Sequence, residues 1–320
     1  MPASEASTRR CVSVVVLLAF ALGACSSPAP VRQASQPALI YDVRAKRFVD
    51  ETALVTDLAR ARYRLLGEIH DDPLHHTIRA RLLGDVARRG LHPAVVMEQF
   101  DLDHDAALRA AQDAGEDAEQ VASAGRLDRK GWQWPLHEPI VAAALAHRLA
   151  LRAGNLSRAA LSGDLDAVLR AHPRLEARLR AARWTDAQAG ELRSEIVESH
   201  CNMLPDAIVP KLVLGQRMRD AAMAQALVDD ATLDGAVLIA GNGHVRDDLG
   251  VPVYLHAPGL AGAKAGTMSI GFIEVSADDE RAADFPRRVI AAHPGFDVVF
   301  LTPAIARPDP CASFRRAPKG

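Results

Sequence analysis

Short runs of Val, Ile, Leu and Ala, bounded by glycine or polar turns, recur along the chain at 64–67, 94–97, 149–153, 236–240, 252–256, 268–275 and 296–301. Runs of this length with no clean alternation fit strands buried on both faces. Between the early runs, 74–89 and 139–148 carry apolar residues at helical spacing. The alternation predicts βαβ units, hence an α/β fold with a mainly parallel sheet flanked by helices. From 156 to 232 the strand-like runs give way to a nearly continuous helical pattern, including 186–200 and 206–230. This predicts a helical insert subdomain between the early and late strands of one sheet. Among the late runs only 279–292 has a helical pattern, which leaves room for an antiparallel edge.

Polar residues collect where the apolar runs stop. Tyr63 to Leu66 reads as a buried strand, Pro73 opens a helix, and between them lies Gly67-Glu68-Ile69-His70-Asp71-Asp72. Side chains two apart on a strand point the same way, so Glu68 and His70 leave on one face. Glu98 ends the second run, Gly154-Asn155 the third, and Gly241-Asn242-Gly243-His244 the fourth. Carboxylates, an amide and imidazoles delivered to the carboxyl ends of several strands predict one shared cleft. His75 and His76 read as surface residues at its mouth. The insert adds His200 at a helix end, and Gln216 and Arg219, which share a helix face and, with Asp220, break an apolar stripe. Arg219 suits either a bound carboxylate or a structural ion pair. Trp132 and Trp134 read as a packing element or lid, and His137 as a further candidate ligand.

The first residues change the picture. Arg9 and Arg10 precede an apolar run, 11–24, that is too short to span a bilayer, which needs roughly 20 residues. It reads as a signal peptide over 1–25. Leu22-Gly23-Ala24-Cys25 fits a bacterial lipobox, with Cys25 diacylated as the mature N-terminus and Ser26 favouring sorting to an outer membrane. The Ser-, Pro- and Ala-rich stretch after it reads as a flexible tether over 26–40, leaving 41–320 as the folded domain. Hydrophobic residues make up 49% and charged ones 24%, as in a globular domain. A net charge of −2 offers nothing to nucleic acid. Once Cys25 is lipidated, Cys201 and Cys311 are the cysteines available for a disulfide, a pairing the sequence leaves open.

Taken in order, LLGEIHDDPLHH at 65–76, VVMEQFD at 95–101, GNLSR at 154–158, SHCNMLP at 199–205, QRMRDAAMAQAL at 216–227 and GNGHVRDDLGVPVYL at 241–255 resemble the ChaN family of haem-binding uptake lipoproteins. That family is part of the wider Tiki, TraB and erythromycin-esterase superfamily, marked by two G-x-x-H motifs and acidic residues. Here these are Gly67 to His70 and Gly241 to His244, with Glu68 and Glu98. The resemblance implies haem as ligand, a surface anchor, and as partners a homodimer mate and an outer-membrane haem or iron receptor. It also implies a tyrosine on the iron in some members. Of Tyr41, Tyr63 and Tyr254, the last is the best placed for that role.

Two functional readings follow. In the first, haem binds between the sheet end and the insert, lined by Glu68, His70, Glu98, Asn155, His200, Arg219, His244 and Tyr254. Tyr254 or a histidine meets the iron, and Arg219 or a histidine the propionates. In the second, Glu68, His70, Glu98 and His244 hold a divalent metal or act directly as acid and base in a hydrolase. Neither a G-x-S-x-G elbow nor a H-E-x-x-H helix is present. The family resemblance favours haem.

Overall fold

The computed structural model describes residues 38–262, 266–276, 288 and 295–312, all within the compact unit Pro37–Gly320. The expected signal peptide, Cys25, most of the tether and the helix expected over 279–292 lie outside the described residues. In chain order, the described elements open with β1 (Leu39–Asp42), β2 (Arg47–Val49), α1 (Glu51–Arg60), β3 (Tyr63–Leu66), α2 (Pro73–Arg88) and β4 (Ala94–Asp101). Then come α3 (Asp105–Asp113), α4 (Ala118–Ala124), α5 (Glu138–Ala146) and β5 (Leu151–Asn155). The segment between β5 and β6 (Ala236–Ile239) is helical: α6 (Arg158–Ser162), α7 (Leu165–Ala171), α8 (Pro173–Ala181), α9 (Asp186–Ser199) and α10 (Val209–Asp230). Two short helices, α11 (Asn242–Val245) and α12 (Val251–Leu255), lead to β7 (Thr267–Val275) and β8 (Val298–Pro303).

The strands form one sheet in the order β2-β1-β8-β7-β3-β6-β4-β5. From β8 to β5 every pairing is parallel. Successive residues face opposite sides, and the two cores follow that alternation. Leu66, Val95, Met97, Val237 and Ile239 pack under α1, α2 and α5, while Leu65, Val96 and Leu238 pack under α8, α10 and α12. The carboxyl ends of β3, β4, β5 and β6 therefore lie along one edge, with α2 and α5 on one side and α10 on the other.

Three expectations are corrected. Residues 252–255 belong to helix α12 and His256 caps it, because Pro252 sits in the first turn after Gly250, where a missing N–H costs nothing. A five-residue buried run cannot by itself distinguish helix from strand. The antiparallel edge exists, but β7 and β8 are parallel to each other; the N-terminal hairpin β1–β2 forms that edge beside β8. The tether does not reach residue 40, since β1 already pairs from Leu39.

Cys201 and Cys311 are disulfide-bonded across 110 residues of sequence, tying the α9–α10 loop to the segment after β8. Closing so long a loop restricts the unfolded chain strongly. Cys201→Ser should lower the unfolding free energy by about 2–5 kcal/mol, read from denaturant midpoints. Reductant should lower the wild-type midpoint to that of the variant.

Candidate functional site

Backbone turns at the strand ends hold the site. Gly67 N–H donates to Ile270 O (2.8 Å), and Asn242 N–H donates to Glu68 O (2.9 Å). The Asn242 amide also bridges both main-chain groups of Phe272, at 2.6 and 3.0 Å. A Cβ on Gly67 would lie 2.4 Å from Asn242 Oδ1, so only glycine admits this lock.

Inside the lock, Glu68 is buried among five polar side chains, of which His70, Gln99 and Arg79 donate to it while His76 and His137 pack against it. Oε1 lies 2.7 Å from His70 Nδ1, 3.2 Å from His137 Nε2 and 3.3 Å from Gln99 Nε2. Oε2 meets the Arg79 guanidinium in a close ion pair and lies 3.2 Å from His76 Nδ1. Arg79 is fully buried, and burial draws its guanidinium down to about 9, still protonated at neutral pH. Burial likewise pushes His76 and His137 down to about 3, so both are neutral.

Their tautomers follow from their partners. His76 Nε2–H donates to His70 O (2.9 Å), and its Nδ1 accepts from Arg79 Nη2 (2.9 Å). His137 Nδ1–H donates to Trp132 O at 3.1 Å.

His70 differs from these. Its Nδ1–H donates to Glu68, which leaves Nε2 with a lone pair and no hydrogen-bond partner among the described residues. Nearly half of its side chain is open to solvent, and the Trp132 ring packs edge-on at 4.9 Å. The crowding is still enough for desolvation to lower its pKa, which keeps the ring neutral. A Cβ at position 241 would lie 2.9 Å from His70 Cε1, so Gly241 lets the ring sit over the β6 turn.

A second cluster lies next to the first. His244 Nδ1–H donates to Asp220 (2.6 Å) and Nε2–H to Glu98 (3.1 Å), while Gly241 N–H donates to the other Glu98 oxygen (2.8 Å). Burial opposes the charge on His244, but the two carboxylates outweigh it and raise the imidazolium to about 10. Burial alone would raise Glu98, yet His244 holds it far below the usual carboxylate range. Asp220 is lifted to about 6 by burial, which His244 only partly offsets.

The remaining expected site residues separate. His75 and His76 are not surface residues: they are 0% and 1% exposed, because the first turn of α2 tucks under the sheet edge. His75 Nδ1 accepts from Ile69 N–H (3.1 Å) and Nε2–H donates to Thr302 Oγ1 (2.8 Å). Tyr254 is fully buried, and its hydroxyl accepts from Arg217 Nε at 3.0 Å. That corrects its expected place at the cleft; α12 is a helix whose Tyr faces the core. Asn155 is buried and donates to Glu98 O (3.0 Å). His200 Nδ1–H donates to Ile196 O (2.7 Å), and its Nε2 has no partner among the described residues. Arg219 is half-buried on α10 and makes no hydrogen bond or ion pair among the described residues; Asp101 and Asp220 feel its charge.

The expected metal set of Glu68, His70, Glu98 and His244 does not converge. Among the described residues, donor atoms lying mutually within 4.8 Å belong to Glu68, His76 and His137, and to Asp72, His75 and Glu274. In the first group Arg79 already supplies the cation. In the second, His75 has used both ring nitrogens, and Asp72 is raised to about 6 by burial and by the hydrogen bond it shares with Glu274.

The sequence model of the family described as haem-binding uptake, Tiki superfamily, ChaN matches residues 54–255. The chain belongs to this family. Among solved structures it is similar to ChaN of Campylobacter jejuni, described for cofacial heme binding, with TM-score 0.64 and 19% identity over 83% of this chain and 97% of that one. It is also similar to the type III effector HopBA1 (TM-score 0.41, 14% identity, 79% of this chain and 92% of that one). A succinoglycan biosynthesis protein follows (TM-score 0.38, 14% identity, 78% and 90%). No curated protein sequence matches the chain.

Sequence reasoning missed Arg79 and the role of Asp220. The signal for Arg79 is an arginine on the apolar face of α2, one turn after His76 and beside Ile78, Leu82 and Leu83, all buried. Such a charge needs a buried partner, and Glu68 is the candidate. For Asp220 the signal is a carboxylate one turn after Gln216 in a run of buried alanines and methionines.

The His244 pair has a pH signature. A proton held up to about 10, against 6.5 ordinarily, adds stability that is complete below 6.5 and is lost as pH rises through about 10. His244→Gln should cost about 3–5 kcal/mol at pH 6, because Glu98 and Asp220 lose their cation. The gap to wild type should narrow toward pH 10 in denaturant titrations, whereas a pH-independent gap would assign the loss to packing.

Proposed function

We propose that this chain is a haem-binding lipoprotein of the ChaN family, with the tetrapyrrole seated at the carboxyl end of the sheet and its iron on His70 Nε2. The observation that carries this reading is the state of His70. It is a neutral imidazole fixed through Nδ1–H to a buried carboxylate, with Nε2 unpartnered at a half-open surface. Histidines that ligate metals carry the same arrangement, a second ring nitrogen donating to a carboxylate or carbonyl that fixes the tautomer and raises basicity. Bound haem supplies an iron that accepts such a nitrogen.

The donor set fits the ligand. Trp132 gives an aromatic edge beside His70, and Leu74 at the start of α2 is 39% exposed. Across the edge, Met203 and Ile208 expose 47% and 43% around the loop that carries His200. Arg219 is a half-buried cation with no ion pair among the described residues and is suited to a propionate. His200, with its free Nε2, is suited to the second propionate or to the iron.

Buried Tyr254 takes no part in this reading. The hydrolytic alternative draws no support from His244, which is held as an imidazolium between two carboxylates and offers neither a base nor a metal lone pair. Lipidation of Cys25 anchors the mature chain to a membrane, the outer one where the cell has two, as the lipobox and Ser26 suggest.

Haemin titration of the protein should give a saturable Soret band. His70→Ala should weaken binding about tenfold or more, in line with the loss of a metal-ligand interaction, while Tyr254→Phe should leave the spectrum unchanged. Retained affinity in His70→Ala with loss in Tyr254→Phe would overturn the assignment.

A further inference from the structure

The sheet register locates where the chain enters the domain. Leu66, the last residue of β3, lies beside Ile270; three residues on, Ile273 lies beside Leu301, and Leu301 lies beside Leu39. Leu39 is therefore about 10 Å beyond the end of β3 along the strand direction, at about 3.3 Å per residue. Since β1 runs antiparallel to β8, the strand direction leads from Leu39 back to Ala38 on the side of Glu68 and His70. The amino end of the sheet, with the turn at Leu233 before β6, is the opposite end.

Cys25 stands thirteen residues before Ala38. Fully extended, such a segment spans at most about 45 Å, at roughly 3.3–3.6 Å per residue. A folded unit the length of Pro37–Gly320 has a radius of gyration of about 19 Å and measures about 50 Å across. An orientation with the His70 end pointing away from the bilayer would put Ala38 about that far from it, which demands full extension of a segment whose composition favours a flexible coil. Among the described residues, Leu233 is the large apolar side chain exposed at the far end, at 99%, whereas several cluster at the near end. Leu39, Leu74, Met203 and Ile208 are each 39–47% exposed there, on the residues that follow the anchor segment, open α2 and precede α10.

We propose that the carboxyl end of the sheet is the membrane-facing side of the protein, so that the His70 surface looks onto the lipid bilayer that holds Cys25. The inference rests on the lipid anchor proposed above and gives the ligand site an orientation. An amphipathic tetrapyrrole, which partitions into lipid, then enters and leaves across the membrane surface instead of through bulk solvent.

The test uses the full-length lipoprotein reconstituted into phosphatidylethanolamine–phosphatidylglycerol vesicles that carry an acceptor dye on their headgroups. A donor dye is attached through an azide-bearing residue replacing Leu74, or in a second protein Leu233; Met203 serves as a further near-end position should Leu74 not tolerate replacement. Energy transfer from position 74 or 203 should exceed that from 233 several-fold. Equal transfer, or stronger transfer from 233, would overturn the orientation while leaving the anchor intact. Cys25→Ala is the separate control for the anchor and should fail to float with the vesicles. Flotation of that variant would remove lipidation as the anchor and with it this proposal, whatever the dyes report.

Discussion

A carboxylate buried at the end of a parallel strand is the constraint on which the rest of the site depends. Glu68 loses its hydration when β3 enters the sheet, and a lone buried carboxylate costs several kcal/mol even after relaxation. Arg79 answers that cost from the apolar face of α2, itself fully buried. Removing either partner would leave an uncompensated buried charge, at about 3–5 kcal/mol. Four further groups are ordered around the pair. Gln99 and His137 face one oxygen, His76 is fixed by Arg79, and His70 is turned so that Nδ1–H meets the carboxylate. The free lone pair on His70 is thus a consequence of charge burial two residues earlier in the chain.

The two G-x-x-H turns show how context decides what one motif becomes. Both deliver an imidazole beside a strand-end carboxylate. After β3 the carboxylate already has an arginine, so His70 needs no charge and keeps one nitrogen free. After β6 the nearest cation for Glu98 and Asp220 is His244 itself, and it is held protonated with both nitrogens committed. The first turn presents a neutral imidazole at a half-open surface; the second is an internal salt bridge that pins α10 to the sheet. Replacing the glycine of either turn would break a close approach, since a Cβ on Gly67 meets Asn242 and one on Gly241 meets His70.

Much of this was legible in the sequence. Apolar runs at 64–67, 94–97, 236–240 and 268–275 are strands of a mainly parallel sheet, and the long helical stretch between β5 and β6 is where the pattern puts it. Glu68, His70, Glu98 and His244 follow strands that end along one sheet edge, but they divide into two neighbouring clusters and do not share one donor set. What the pattern could not carry was direction. His75 and His76 look like surface residues because they follow Asp71, Asp72 and Pro73, yet the first turn of α2 lies under the sheet edge. Tyr254 looks accessible in a strand and is buried in a helix. The first hairpin went unseen because β1 and β2 are four and three residues long and adjoin a Ser- and Pro-rich segment. Pairing of Cys201 with Cys311 depends on tertiary contact alone.

The central claim is that Glu68, kept charged by Arg79, holds His70 as the iron ligand. Resonance Raman spectroscopy of the ferrous haem complex tests it most directly, because the iron–histidine stretch reports the nitrogen donor and the hydrogen bond on its far side. The account predicts a band that shifts with 15N-labelled histidine, moves to lower frequency in Glu68→Gln, and disappears in His70→Ala. A ferric complex showing tyrosinate modes in place of that band, unaffected by either substitution, would contradict it.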